Sequence, residues 1–389
     1  MKKIMIIGKL PCNSDLGQAE IIRTRFIIRG LEEKGHQLSV FSYYIDKNTP
    51  AGKHEDCKTV SYMLSYRRKL RFLNPIVYTF LFFKTVLSQA AHYDCILCDK
   101  LPHYYVLPFL LAVKLRRKKY IIQYNEFLKG TSILDTFKKK VYFNIGKFFD
   151  LLILKSASVL IVISSEHRKY YQKYTSSKCK HVVISMLMEI APGTKEPEKK
   201  PKDTELVVGY AGTLNKSNGV ELLLSAVSEA IKQNQKVRLT MFGPARQDYR
   251  NHLNDCIKKA GLENKITILN PLGNQEAIAF IQDHIDILVI PKLDDDRARG
   301  YIPSKLGDYL YSGKPLIVTD VGEMNQYIQH QKNGFIVSSE SPEPLTRIIS
   351  FICENYEISQ KIGLEGRLSA RQFDYKKQIT PLSCLIDSL

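Results

Sequence analysis

The sequence has no tryptophan, no run of about 18 apolar residues free of charge, and few acids in its first half. The missing tryptophan excludes no function. The missing apolar run excludes a transmembrane helix, because the longest candidate, 74–83, stops at Lys84. The opening Met-Lys-Lys-Ile-Met-Ile-Ile-Gly has an apolar run of only about four residues and no small-residue cleavage site, so it reads as a first strand and not as a secretory leader. The loop after it lacks G-x-G-x-x-G, which leaves a dinucleotide site unsupported. Eight cysteines are scattered, with Cys95-x-x-Cys98 the one close pair and no second pair to complete a zinc site. They read as structural thiols in a reducing cytoplasm, and no metal is expected.

What is present is a lopsided charge. Residues 1–190 carry 32 Lys/Arg against 14 Asp/Glu, whereas residues 191–389 carry 25 of each, so the whole net charge of +18 sits in the first half. A basic surface calls for an anionic partner: nucleic acid, a membrane leaflet or a phosphate-bearing substrate. No nucleic-acid-binding motif is recognisable, so nucleic acid is not expected. Basic clusters at 67–71, 116–119 and 138–140 adjoin the aromatic runs 78–83 and 141–149. Such neighbours suit a helix lying on an anionic leaflet, which implies a cytoplasmic chain that docks on the inner face of a membrane. Val141, Ile145, Phe148 and Leu152 recur at helical spacing and are expected to be core.

Ile/Val/Leu-rich runs at 3–8, 37–42, 94–98, 120–124, 159–163 and 181–184, then 206–210, 237–242, 266–269, 287–290, 316–319 and 335–337, read as strands buried on both faces. Helical segments such as 18–33, 219–232 and 303–312 lie between them, and the chain is helical after 337. The rhythm predicts an α/β doubly wound architecture in two domains. The polar, Pro-rich 191–203 reads as a linker. The expected division is 1–190 for an acceptor-binding domain, 191–204 for the linker, 205–370 for a donor-binding domain and 371–389 for a helical tail. Ligands are then expected in the cleft facing the carboxyl ends of the strands.

Three loops carry candidate chemistry. Gly17, after the first strand, sits where backbone amides can face a phosphate, though a simple turn serves as well. The segment Val208-Gly-Tyr-Ala-Gly-Thr-Leu-Asn-Lys216-Ser-Asn-Gly219 ends a strand and places a lysine before a helix. In Ile287–Thr319, Pro303 suits the first helical position and Gly313 the position past the end, leaving the amides of Ser304 and Lys305 as free donors. Asp308 is either a ribose acceptor or an i,i+3 partner of Lys305.

On these residues the chain resembles the retaining glycosyltransferases of the GT-B fold, family 4. The matching strings are Gly209-Tyr-Ala-Gly-Thr-Leu, the Lys216/Gly219 loop, Phe242-Gly-Pro, Leu272-Gly and above all Pro303-Ser-Lys-Leu-Gly-Asp-Tyr-Leu-Tyr-Ser-Gly-Lys-Pro315. In the first half the match is fainter, with Gly17, Gln123-Tyr-Asn-Glu126 and Val162-Ile-Ser164 as anchors. The resemblance implies two Rossmann-like domains, C-terminal helices crossing back to the first domain, and sugar transfer from a nucleotide-sugar co-substrate, UDP being the usual nucleotide. No cofactor is implied. It implies Lys216, Ser304 and Lys305 at the donor phosphates, Asp308 at the ribose, and Leu306 at the donor. It puts Gly212, Thr213, Gly243, Gly273, Pro291, Arg299 and Tyr301 around the donor, and Glu126 and Lys305 in catalysis. The implied acceptor is a saccharide or lipid-linked saccharide of bacterial surface polysaccharide synthesis.

Two departures bear on catalysis. The first carboxylate of the family's E-x7-E motif should precede Asp308 by eight residues, where Gly300 stands; Asp296, Arg297 and Arg299 are candidate replacements. Thr213 and Asn218 occupy positions where the family often has basic residues, which leaves Lys216 as the basic contact of that loop. Two other readings remain open: a nucleotide-sugar epimerase of similar architecture, which has no use for a basic half, and a degenerate, non-catalytic relative.

Overall fold

The computed structural model describes residues 1–10, 19–43, 52–54, 57–63, 74–128, 137–190, 200–201, 204–233, 235–295 and 298–389. The chain divides into two compact units, Met1–Ser185 with Tyr375–Leu389, and Met186–Asp374.

In the first unit the strands are β1 (Lys3–Gly8), β2 (Gln37–Ser42), β3 (Gly52–His54), β4 (Cys57–Tyr62), β5 (Cys95–Cys98), β6 (Lys119–Tyr124), β7 (Val159–Val162) and β8 (Lys180–Val183). The helices are α1 (Ala19–Glu33), α2 (Asn74–Gln89), α3 (His103–Leu115), α4 (Phe137–Ser156) and α5 (Ser165–Tyr171). The sheet order is β3-β4-β2-β1-β5-β6-β7-β8, parallel except for the β3–β4 pair. All six strands expected for this half form. β3 and β4 were not expected: β3 is a three-residue edge strand, and β4 beside it, Cys-Lys-Thr-Val-Ser-Tyr, alternates polar and apolar residues and offers no continuous apolar run.

In the second unit β9 (Leu206–Ala211), α6 (Val220–Lys232), β10 (Val237–Phe242), α7 (Gln247–Lys259), β11 (Ile266–Leu269), α8 (Asn274–His284), β12 (Ile287–Ile290), α9 (Leu306–Ser312), β13 (Leu316–Thr319) and β14 (Phe335–Val337) are followed by α10 (Pro342–Glu354) and α11 (Tyr356–Ala370). The sheet is all-parallel in the order β11-β10-β9-β12-β13-β14. Its strands are buried because helices cover them. Val208, Leu239, Val289 and Ile317 are wholly enclosed with Leu223 and Val227 of α6 and Leu345 and Ile349 of α10.

Two boundaries differ from expectation. The units part at Ser185, before the Pro-rich stretch, because Met186 and Met188 already lie in the second core and the Met188 amide bonds the Phe373 carbonyl. Most of 191–203 lies outside the described residues. At the far end the chain returns to the first unit as α12 (Tyr375–Gln378) and α13 (Thr380–Asp387). There Tyr375 stacks on Phe26 with ring centroids 5.2 Å apart, and His36 Nε2 meets Ser383 Oγ at 2.8 Å.

The expected burial of one face of α4 is overturned. Val141, Ile145 and Phe148 are exposed, and only Leu152 is half-buried. Gly146, Asp150, Ile153 and Leu154 face the core instead. The spacing was helical, but two stripes on α4 share it and the inner one is the more C-terminal.

Candidate functional site

In the second sheet the strand order reverses at β9, which lies between β10 and β12. Ligands of doubly wound sheets bind at the carboxyl ends of the strands flanking such a point. Here the chain ends are drawn together by glycines. Gly212, just after β9, has φ +150° and Gly243, just after β10, has φ +141°; a Cβ on Gly243 would overlap the Gly212 carbonyl oxygen. Gly219, before α6, is left-handed at φ +72°, and a Cβ there would overlap the Pro291 carbonyl oxygen after β12. The residues around this point therefore present backbone, not side chains, at the edge of the sheet.

Lys305 reaches into this gathering. Its Nζ donates to the Ala211 carbonyl at 2.5 Å and lies 3.9 Å from the centre of the Tyr210 ring, against Gly212. The Tyr309 hydroxyl completes the arrangement. It accepts from the Ala211 amide at 2.7 Å and donates to the Ala211 carbonyl at 3.2 Å. The lysine is half-buried, and desolvation lowers its pKa to about 7. Burial likewise raises Asp308, one turn on, to about 6. Neither group has the other as its partner, so the i,i+3 pairing does not form.

The helix carrying them starts later than the sequence suggests. α9 begins at Leu306, and Pro303 instead supplies the carbonyl that accepts from the Leu306 amide. No acceptor among the described residues takes the amides of Ser304 or Lys305, and the Ser304 side chain is exposed. Leu306 has its side chain wholly in the core, so it contributes packing.

A second cation was missed by sequence reasoning. Lys292, directly after Pro291, is buried, and its Nζ donates to the Ser217 carbonyl at 2.8 Å and to Asp295 at 3.2 Å. Ser217 Oγ donates to the same carboxylate. The signal was available, because Lys292 follows a strand end at the switch point. Lys216 and Thr213 are exposed beside it, and the Thr213 carbonyl accepts from Asn218 Nδ2 at 2.9 Å. A hollow of about 450 Å³ is lined by Asn215, Lys216, Ser217, Lys292 and Tyr301. Another of about 500 Å³ is lined by Thr213, Asn215, Pro244, Arg246 and Tyr249. Both fall in the size range of small-molecule pockets. Of the remaining expected residues, Arg299 is exposed, Gly300 is buried and left-handed at φ +63°, and the Cβ position of Gly273 is open, with no crowding to demand glycine. Asp296 and Arg297 lie outside the described residues.

In the first unit the corresponding switch point is β1, between β2 and β5. Asp99, after β5, touches Gly8 and accepts hydrogen bonds from Thr24 Oγ1 at 3.2 Å and from Gln123 Nε2. Desolvation, with the charge of Glu20, raises this carboxyl to about 7. Gln123 Oε1 and Asn125 Oδ1 are buried with no hydrogen-bond partner among the described residues. Glu126 follows β6 with its side chain exposed and its carbonyl accepting from Tyr171 Oη at 2.5 Å. Gly17 lies outside the described residues.

Residues 193–369 match the family described as Glycosyl transferases group 1. An uncharacterized glycosyltransferase of Methanocaldococcus jannaschii is 24% identical over 146 residues, 37% of this chain and 35% of that protein, so the chain spans about a third of its length. Another from the same organism is 22% identical over 294 residues, 73% of this chain and 72% of its own. Among solved structures, Anabaena HepE in complex with UDP and glucose superposes with a TM-score of 0.70 at 15% identity, covering all of both chains. That likeness establishes the GT-B architecture of two α/β units.

Proposed function

We propose that this chain transfers a sugar from a nucleotide diphosphate donor bound at the carboxyl ends of β9 and β12. The observation that carries the reading is the Lys305 ammonium beside Gly212, which donates to the Ala211 carbonyl and lies near the Tyr210 and Tyr309 rings with no carboxylate partner among the described residues. A cation so placed gains its missing counter-charge when a diphosphate arrives. The unbonded amides of Ser304 and Lys305 supply further donors, Lys216 lies at the rim, and Asp308 accepts from ribose hydroxyls. Lys305 thereby stabilises the diphosphate leaving group, where charge develops during transfer.

UDP is the nucleotide we assign, since HepE, which shares the architecture, is seen with UDP and glucose. Transfer of a hexose with retention follows from the family 4 resemblance, with Glu126 at the sugar. The acceptor we assign is a saccharide or lipid-linked saccharide of surface polysaccharide synthesis.

A thermal-shift screen of nucleotide sugars tests the reading. A true donor at a hundred times its Kd should stabilise the chain by about 2.7 kcal/mol, and the Lys305→Ala variant should lose that shift and the transfer activity. Stabilisation by no nucleotide sugar rejects the reading. Release of free UDP with epimerised sugar and no acceptor requirement replaces transfer by epimerisation.

A further inference from the structure

Beyond the donor site, the first unit carries apolar helix faces that lie exposed. The strand order β5-β6-β7 advances in one direction, so right-handed crossovers place α3 and α4 on the same face of the sheet. α2 joins them, with Phe82 stacked on Tyr105 at 4.3 Å. α3 and α4 meet where His103 packs on Gly146 and on the Tyr142 ring, 5.1 Å away.

Each helix of this layer buries one side and leaves an apolar stripe outside. On α3, Tyr105, Val106, Phe109, Ala112 and Val113 face inward. Tyr104, Leu107, Leu111 and Leu115, spaced by three and four residues, are each more than half exposed. On α4 the outer stripe is Phe137, Val141, Ile145 and Phe148, and on α2 it is Ile76 and Phe80. A helix apolar all round is normally enclosed, and α3 is enclosed on one side only.

The charges around these stripes have one sign. α2, α3 and α4 contain Lys84, Lys114, Lys138, Lys139, Lys140, Lys147 and Lys155. Their single acid, Asp150, is buried, accepting from Tyr124 Oη at 2.7 Å and paired with Lys100 at 2.9 Å. Arg116 and Arg117, both exposed, follow α3 directly. We propose that the α2–α3–α4 face lies on an anionic lipid bilayer, its apolar stripes in the headgroup–acyl boundary and its lysines among the lipid phosphates. A second copy of the chain is the poorer occupant. Two-fold pairing would set this face against itself, lysines against lysines with no exposed carboxylate in the three helices to answer them. No helix among the described residues is long and apolar enough to cross a membrane, so the face rests on the bilayer. This surface does not depend on the donor reading, since vesicle binding needs no nucleotide.

The test is cosedimentation of the full chain with vesicles of phosphatidylcholine alone and of phosphatidylcholine mixed with phosphatidylglycerol, at low and high salt. The chain should bind the anionic vesicles and weaken as salt rises. Leu107→Glu with Leu111→Glu should lower the partition coefficient at least tenfold, with the melting curve as the check on folding. Replacing Lys138, Lys139 and Lys140 by Gln should lower it roughly fivefold per lysine, a readout that survives should the first variant fold poorly. Failure to bind phosphatidylglycerol vesicles at low salt overturns the proposal. So does equal binding by both variants, or a dimer in solution that Leu107→Glu with Leu111→Glu disperses while vesicles are ignored.

Discussion

Lys305→Met isolates the charge at the donor site, because methionine keeps much of the side chain's length and apolar stem while removing the ammonium. A full charge about 4 Å from a phosphate oxygen at an effective dielectric near 20 is worth about 4 kcal/mol. Water reaching the emptied position recovers part of that, so the loss should match a charge-assisted hydrogen bond, about 1.5–3 kcal/mol, or roughly a 10- to 150-fold rise in Kd for a UDP-sugar. The free protein should not suffer. Burial lowers the folded pKa of Lys305 to about 7, well below its unfolded value. The unfolded chain therefore binds the extra proton between about 7 and the ordinary lysine range, and this group's contribution to stability rises with pH through that window. At neutral pH the buried charge is a cost, which methionine removes, so the melting temperature should hold or rise while affinity falls. Titration calorimetry at several pH values completes the test. Above about pH 7 the wild type must take up a proton to bind, so its affinity should fall by up to tenfold per pH unit, and the Met variant should show no such slope. A Kd within threefold of wild type, or the same slope in both proteins, refutes the role.

Asp308 sets the opposite limb. Its pKa is raised to about 6, so affinity for a UDP-sugar should drop as pH falls through 6 and the ribose acceptor is protonated; Asp308→Asn should remove that limb in the same calorimetric series and weaken binding roughly tenfold at neutral pH, as expected for about 1.4 kcal/mol. Tyr309→Phe leaves the Ala211 amide without its acceptor, a loss of about 1–3 kcal/mol that differential scanning calorimetry should register as a fall of about 2–4 °C per kcal/mol. Gly219→Ala forces a left-handed residue to carry a Cβ into the Pro291 carbonyl. It should cost more than the about 1–2 kcal/mol of the backbone conformation alone, read as a lower urea midpoint with an unchanged slope.

Much of this was legible in the sequence because buried parallel strands write themselves as short Ile/Val runs. All twelve runs read that way form strands, the central ones buried along most of their length and the edge strands β8 and β11 only in part. β4 escaped because its residues alternate polar and apolar and give no such run. At the site, the glycines were legible from motif order, but their physical reason lay in approaches that are distant in sequence, Gly219 to Pro291 and Gly243 to Gly212. Lys292 was passed over because its partners, Ser217 and Asp295, come from two separate loops. The outer stripe of α4 was misassigned because periodicity gives the spacing of a face and not which face the sheet will cover.

Gly300 then takes on a different meaning from that of a lost acid. It is buried with φ +63° in a tight turn where the Tyr301 amide bonds the Ala298 carbonyl. Against that turn sits a second left-handed glycine, Gly322, whose added Cβ would stand 2.5 Å from the Tyr301 carbonyl oxygen and 2.8 Å from that of Ala298. The Glu323 amide also bonds the Tyr301 carbonyl, at 3.2 Å. Two loops are thus locked through backbone, and a carboxylate-bearing side chain at position 300 would have to adopt a conformation that ordinary residues avoid at about 1–2 kcal/mol. The change is built into the turn, so a single substitution does not restore the acid in place. On the proposed reading, the donor must then be held from its diphosphate end, where Lys305, Lys216 and the open amides of Ser304 and Lys305 gather. The sugar end is left to a group outside the E-x7-E pair.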